Sequence, residues 1–378
     1  MQFETNLSRR AVLRATGGSL VGATATGLAA ATPGRSVEVN VGFAAESGRR
    51  AALDAAGEVV REFDSLDALT MRAPKRAATT LGKRADVRYV EENGRMETFA
   101  QTLQWSVDRV DADRTSADGT GADIAIVDTG IDSDRSDLEQ NLGEGVAVVP
   151  CSDESYCNGC KVPWDDDSGH GTQLATLVGA VDNYEGTVGV APGATLHAVK
   201  VFGADGSGSY SDIAAGLETV ADKGWDVANM SFGGSYSSTL YDAIRYADDE
   251  GVTLVGAVGN SGSCTDCVSY PAKFGEVIAV SATNRNDSLA YFSATGPEVE
   301  LAAPGTDIYF ESCDASDGYQ SLSGTSYAAA HVSGGAGILR AQGYTSDGAR
   351  TRLRDTAEDL GLSSNEQGYG LLDVAAAA

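Results

Sequence analysis

The chain is expected to be an α/β protein: a parallel sheet flanked by helices on both faces, preceded by a smaller α/β unit. Three observations predict this. Short apolar runs recur at residues 123–127, 195–201, 227–230, 252–258 and 277–281. Runs that are apolar on both sides of the backbone suit strands buried on both faces, the usual condition of a parallel sheet. Amphipathic stretches at 211–223 and 238–250 alternate with those runs, as crossover helices do. Finally, 378 residues exceed what one small core needs, so a main domain with an appendage is expected.

From the amino terminus, Ser8-Arg9-Arg10-Ala11-Val12-Leu13-Arg14 is a twin-arginine signature followed by a mild Ala/Gly/Thr/Leu stretch. That stretch is short and too rich in Gly, Ser and Thr to span a membrane. It implies export of a folded protein, with the membrane met only in transit and cleavage near residues 29–32. Residues 1–34 are therefore read as a signal, 35–98 as a small α/β unit and 99–378 as the main domain. In the small unit, Val37-Glu38-Val39-Asn40-Val41 alternates as a strand. Ala52, Ala55, Ala56, Val59 and Val60 recur at helical spacing over 47–62, and Val87-Arg88-Tyr89-Val90 closes the unit.

Charge divides unevenly along the chain. The first 96 residues carry 14 Lys and Arg against 11 Asp and Glu; the remainder carries 13 against 43. A polyanionic domain is a poor partner for nucleic acid or anionic lipid, so neither is expected. Lysine occurs only six times. Such an acidic, lysine-poor surface repels itself unless concentrated salt screens it, which predicts adaptation to high salt.

Three stretches carry the chemistry. Asp128 ends an apolar run and opens Asp128-Thr129-Gly130-Ile131-Asp132. His170 sits in Ser168-Gly169-His170-Gly171-Thr172, and Ser326 in Ser323-Gly324-Thr325-Ser326-Tyr327-Ala328. A serine hydroxyl is a weak nucleophile at neutral pH. An imidazole must take its proton, and a carboxylate must hold that imidazole in the right tautomer. Of three histidines, only His170 lies between glycines at the start of an expected helix, 171–180. His197, inside an apolar strand, and His331, one turn past Ser326, read as packing residues. Ser326 is expected at the amino end of an Ala/Gly-rich helix, 326–340, where helix N–H groups favour a developing oxyanion.

In the order Asp, His, Ser these motifs resemble the subtilisin (subtilase) family of serine endopeptidases over roughly residues 100–378, and more weakly before. The acidic, exported character is similar to the secreted halolysin-type enzymes of halophilic archaea. The resemblance implies a secreted endopeptidase acting on protein or peptide substrates through an acyl-enzyme. It also implies that the 35–98 unit is an inhibitory propeptide removed by self-cleavage. Gly256-Ala257-Val258-Gly259-Asn260-Ser261-Gly262 resembles the family's oxyanion loop, with Asn260 as side-chain donor. Gly206, Ser207 and Gly208, and Ser231, Phe232 and Gly233, resemble the strands that flank an extended substrate. Ser231–Gly233 and Ala257–Gly259 would wall the primary specificity pocket and Ser269 would floor it, implying a preference for medium to large apolar side chains.

A structural Ca²⁺ site is implied as well, from the Gln101 and Asn183 amides, the Asp137 carboxylate and the carbonyls of Val181, Glu185 and Thr187. No catalytic cofactor is expected, and a monomer is. The sequence departs from the family pattern at Gln173, where a second histidine is usual, at Tyr327, where methionine is usual, and at Ala330, where proline is usual. Six cysteines in an exported chain favour disulfides, with Cys264–Cys267 the first pairing expected; a zinc site of Cys151, Cys157, Cys160 and Cys313 is the alternative. Rival readings are a catalytically silent surface binding module, a serine esterase without the usual Gly-x-Ser-x-Gly elbow, and a processing protease with a narrow specificity.

Overall fold

Successive side chains of a strand point to opposite faces, and in Asp123–Asp128 both faces are buried: Ile124 and Ile126 on one side, Ala125 and Val127 on the other, all without exposure. A computed structural model describes residues 36–63, 66–93, 103–152, 159–183, 186–262, 264–311 and 319–378. The twin-arginine segment and Gln101, Cys157, Glu185 and Cys313 lie outside these residues. The chain divides into two units, Met1–Thr98 and Phe99–Ala378. Among the described residues no helix is long and apolar enough to cross a membrane.

The first unit comprises β1 (Ser36–Phe43), α1 (Glu46–Ala55), β2 (Glu58–Glu62), β3 (Ala68–Pro74), α2 (Lys75–Leu81) and β4 (Val87–Glu92). Its antiparallel sheet runs β2-β3-β1-β4. Val39, Val41, Leu69 and Met71 pack with Ala52, Ala78 and Leu81 of the helices into one core. The helix expected over 47–62 is corrected here: it stops at Ala55, and Val59 pairs with Met71 in β2. Gly57 sits at the break with its N–H on the Arg72 carbonyl, and the β-branched Val59-Val60 pair suits the strand that follows.

The second unit opens with α3 (Trp105–Arg109), β5 (Asp123–Asp128) and the short β6 (Val146–Ala147). It continues through α4 (His170–Gly179), β7 (Thr195–Lys200), α5 (Tyr210–Lys223), β8 (Val227–Met230), α6 (Ser238–Asp249), β9 (Thr253–Ala257), β10 (Ile278–Thr283) and β11 (Val299–Pro304). It closes with the hairpin β12 (Ile308–Glu311) and β13 (Tyr319–Leu322), then α7 (Thr325–Ala341), α8 (Ser346–Asp355), α9 (Ser364–Gln367) and α10 (Val374–Ala377). Seven strands form one parallel sheet in the order β11-β10-β9-β8-β5-β7-β6. Helices α4, α7 and α8 share a core with Ile124, Ile126, Val255 and Val280 on one face. Helices α5 and α6 cover Ala125, Val127, Val199 and Ala228 on the other. The small residues of α7 are what allow it to lie so close: a β-carbon on Gly337 would stand 2.4 Å from Ile124 Cδ1, and one on Gly334 would stand 2.6 Å from Val190 Cβ.

Candidate active site

Asp128 is the last residue of β5, at the carboxyl end of a central strand, where open α/β sheets place their sites. Its carboxylate is 1 % exposed and accepts the Thr129 N–H at 2.8 Å. The same oxygen meets His170 Nδ1 at 2.7 Å. Oδ2 is buried with no hydrogen-bond partner among the described residues, so the stabilising contacts fall on one oxygen. Burial alone would lower the pKa of His170. The charge and hydrogen bond of Asp128, with the charge of Asp166 behind them, outweigh it and hold the imidazole above its ordinary value.

The start of α4 is held where His170 must be presented. Asp166 accepts the Ser168 and Gly169 N–H groups on one oxygen, and the Thr172 N–H and hydroxyl on the other. Thr129 Oγ1 accepts the Gly171 N–H at 2.9 Å, tying the residue after Asp128 to the residue after His170. A β-carbon on Gly171 would fall 2.1 Å from the Gly130 carbonyl oxygen, so this approach admits only glycine.

Ser326 is the second residue of α7, and its hydroxyl donates to the Ser231 carbonyl at 3.0 Å. Ser231 Oγ in turn donates to the Ser326 carbonyl, and Asn229 and Ser333 continue this buried polar ladder beneath the site. Asn260 uses its Oδ1 to accept both the N–H and the hydroxyl of Thr325, at 2.9 and 3.0 Å. Its oxygen is thereby fixed on the start of α7.

A cleft of about 600 Å³ runs past Asp128 and His170 and is lined by Gly206, Ser207, Gly208, Ser231, Phe232 and Gly233. Tyr210, which ends the first of the two stretches likened to substrate-edge strands, lines it too; Ile213, Leu240 and Tyr270 also do, and sequence reasoning missed those three. Ala257 ends β9, two residues before Gly259. A β-carbon on Gly259 would stand 2.8 Å from Ser269 Oγ, and one on Gly233 would stand 2.8 Å from Ser269 Cβ; Gly233, Gly259 and Ser269 therefore converge.

Beneath the cleft, Lys200 is fully buried and donates to Asp167 Oδ1, the Thr129 carbonyl and the Phe202 carbonyl at 2.5, 2.6 and 2.9 Å. A lysine ending an apolar strand, and three consecutive aspartates before His170, were the sequence signals for this pair. His197 and His331 are packing residues. The first is stacked on Trp225 and bonded to Asp123; the second is fully buried, with Nδ1 on the Tyr327 carbonyl.

Cys264–Cys267 is a disulfide, as expected, and Cys151 is joined to Cys160. That second bridge overturns the zinc alternative, because it removes two of the four thiolates. Asp137, which is 1 % exposed, lies near several of the expected calcium donors. The Val181 N–H donates to the Asp137 carbonyl, Asn183 Nδ2 donates to the Ser136 carbonyl, and a β-carbon on Gly186 would lie 2.7 Å from Asp137 Oδ2. Gly186 thus lies close to the carboxylate, and a carboxylate, an amide oxygen and backbone carbonyls are the hard donor types that calcium takes. The Arg135 guanidinium shares that carboxylate at 3.2 and 3.1 Å.

The parallel α/β sheet carries the bonded Asp128–His170 pair on an open cleft and Ser326 near the start of a separate helix, and the comparisons with known proteins identify the class as serine-type endopeptidase. The subtilase family pattern matches residues 119–370, and the chain belongs to that family. It is 37 % identical to an alkaline protease of Alkalihalobacillus alcalophilus over 85 % of this chain and 81 % of that protein. It is 36 % identical to subtilisin E of Bacillus subtilis over 85 % and 83 %, and 42 % identical to subtilisin DY of Bacillus licheniformis over 74 % and 100 %.

Proposed function

We propose that this serine endopeptidase works through Asp128, His170 and Ser326, with Asn260 as oxyanion donor, and that it is exported and matured by removal of its own first unit. The observation that carries the reading is the 2.7 Å bond between Asp128 and His170 Nδ1, which presents Nε2 to the cleft as a base. Ser326 Oγ turns from the Ser231 carbonyl toward Nε2, gives up its proton there and attacks the scissile carbonyl. Asn260 Nδ2 and the Ser326 N–H receive the developing oxyanion. His170 then passes the proton to the departing amine, and a water activated by the same imidazole hydrolyses the acyl-enzyme.

Substrate is taken extended between 206–208 and 231–233, where backbone pairing gives affinity without demanding a sequence. The side chain before the scissile bond enters between Gly233 and Gly259 toward Ser269. With Ser269 rather than an acidic residue at the end of that path, medium to large apolar groups are favoured. The first unit serves as the inhibitory propeptide. The alignment with the alkaline protease covers 85 % of this chain, more than Phe99–Ala378 alone holds, so the likeness reaches into that unit. Export follows the twin-arginine route and the product is extracellular. Asp137, Asn183 and the carbonyls of Val181 and Thr187, with Gln101 and Glu185, would hold calcium and brace the loop after α4.

Salt adaptation is supported by the excess of carboxylates beyond residue 96, 43 against 13 basic residues, and neighbouring carboxylates add to burial at two of them. Burial, then hydrogen bonding and charge from Asp134, push Asp132 up to about 7. Burial, then the charges of Glu276 and Asp347, raise Asp248.

The test is the intact mass of wild type and Ser326→Ala, expressed without residues 1–34 and held in molar salt with calcium, together with casein hydrolysis. The reading expects loss of the first unit and casein turnover in wild type only. Processing of both proteins would assign maturation to another protease, and casein turnover by Ser326→Ala would reject the nucleophile.

A further inference from the structure

One buried polar contact joins the two helices that carry the nucleophile and the base. Tyr327 follows Ser326 on α7 and is 5 % exposed. Its hydroxyl donates to Gln173 Oε1 at 2.9 Å, across 154 residues of sequence. Gln173 lies on α4, about one turn beyond His170. The Tyr327 ring is packed against Phe310 of β12, with centroids 4.9 Å apart, and stands 6.3 Å from the His170 ring. Its backbone is fixed too: the N–H donates to the Gly324 carbonyl, and the carbonyl meets His331 Nδ1 at 2.7 Å. Burial, and then the charge of Asp128, raise the hydroxyl's pKa far above its ordinary value, so it remains a donor through the alkaline range.

Transfer of a proton from Ser326 to His170 depends steeply on their separation; a misplacement of about 1 Å can cost about a hundredfold in rate. The two residues begin separate helices, and the hydroxyl of Ser326 is bonded to the Ser231 carbonyl rather than to the imidazole. The core shared by α4 and α7 packs the two helices together, and a directional polar contact near their starts would refine the register of the two residues. The bond from Tyr327 to Gln173 is placed to do so, one residue from the nucleophile and one turn from the base. The resemblance to the family makes other residues usual at both positions, and here the two departures are each other's partners.

We propose that Tyr327 and Gln173 form a single positioning pair that sets the spacing between Ser326 and His170. This rests on the triad reading above. Neither residue touches the reacting atoms; they act through the helices that carry them.

The experiment compares the processed enzyme with Tyr327→Phe, Gln173→Leu and the double variant. It measures kcat and KM on a peptide p-nitroanilide, the rate of inactivation by phenylmethanesulfonyl fluoride, and the thermal midpoint. The sulfonyl fluoride needs Ser326 and His170 but little of the cleft, so it reports their geometry directly. One neutral hydrogen bond corresponds to about threefold to tenfold in rate. Each single variant is expected to lose that much in kcat and in sulfonylation, with KM unchanged, and the double variant is expected to lose no more than the worse single. Gln173→Glu keeps the acceptor and should recover most of kcat, while its charge moves the acid limb of the pH profile upward.

Unchanged kcat and sulfonylation in Tyr327→Phe would overturn the proposal, as would losses that multiply in the double variant or appear only in KM. Should Tyr327→Phe fail to fold, Gln173→Leu, at a partly exposed position, carries the same comparison. Turnover by Ser326→Ala would instead strike the triad reading, so the two failures are distinguishable.

Discussion

Replacing Asp167 by asparagine removes the formal charge paired with Lys200, a side chain with no exposure at all. The variant keeps an oxygen near Nζ, and the Thr129 and Phe202 carbonyls remain as acceptors, but the ammonium loses its counter-charge. Breaking a buried ion pair by altering one partner typically costs about 3–5 kcal/mol, and the three surviving oxygens place this case at about 3. A unit of this size loses about 2 °C per kcal/mol, so its midpoint should fall by about 6 °C or more. Thermal unfolding is best followed in a Ser326→Ala background, where self-digestion cannot distort the curve. Asp167→Leu combined with Lys200→Met removes both charges and should recover most of the loss, short of the Ser152 N–H that Asp167 also accepts. A fall below about 2 °C in Asp167→Asn, or a double variant that melts as low as the single, would refute the reasoning.

Three further outcomes are expected. Because His170 must be neutral to act and its pKa is held above 6.5, kcat/KM should fall as pH drops through a midpoint above 6.5, and Asp128→Asn should move that midpoint below it. A wild-type midpoint at or under 6.5 would contradict the electrostatics of the site. Chelating calcium should lower the thermal midpoint of wild type and not that of an Asn183→Ala, Asp137→Asn variant; equal effects on both would move the ion elsewhere. Diluting salt from molar to about 0.1 M lengthens the Debye length from about 3 to about 10 Å, and should lower the stability of a chain of net charge −27. An unchanged melt would discard salt adaptation.

What the sequence disclosed follows from how local each signal is. Asp128, His170 and Ser326 each sit in a glycine-bearing motif, at a strand end or a helix start, and the apolar runs marked β5, β7, β8, β9 and β10. Strand β11 escaped notice because Glu300 and Pro304 break its apolar run. Glu300 is buried only because Arg350 and Arg354, about 50 residues on, clamp it. The helix expected over 47–62 failed at Gly57, where a chain of suitable period turned into an edge strand. Contacts between distant residues were beyond reach. Tyr327 and Gln173 read as two unrelated departures until the fold brought them within 2.9 Å. The acceptor for Ser326 is a backbone carbonyl, that of Ser231, which residue identity does not reveal. Lys200 was visible as a charge in an apolar strand, and a buried ammonium must find partners; which aspartate it chose was not visible.

The central claim is that Ser326 is a nucleophile activated by His170. The most direct measurement is intact mass and peptide mapping after treatment with diisopropyl fluorophosphate, on wild type, Ser326→Ala and His170→Ala. The account predicts one adduct in wild type, mapped to the peptide carrying Ser326, none in Ser326→Ala, and strongly slowed labelling in His170→Ala. An unlabelled wild type that is folded and processed, or an adduct on any other serine, would contradict it.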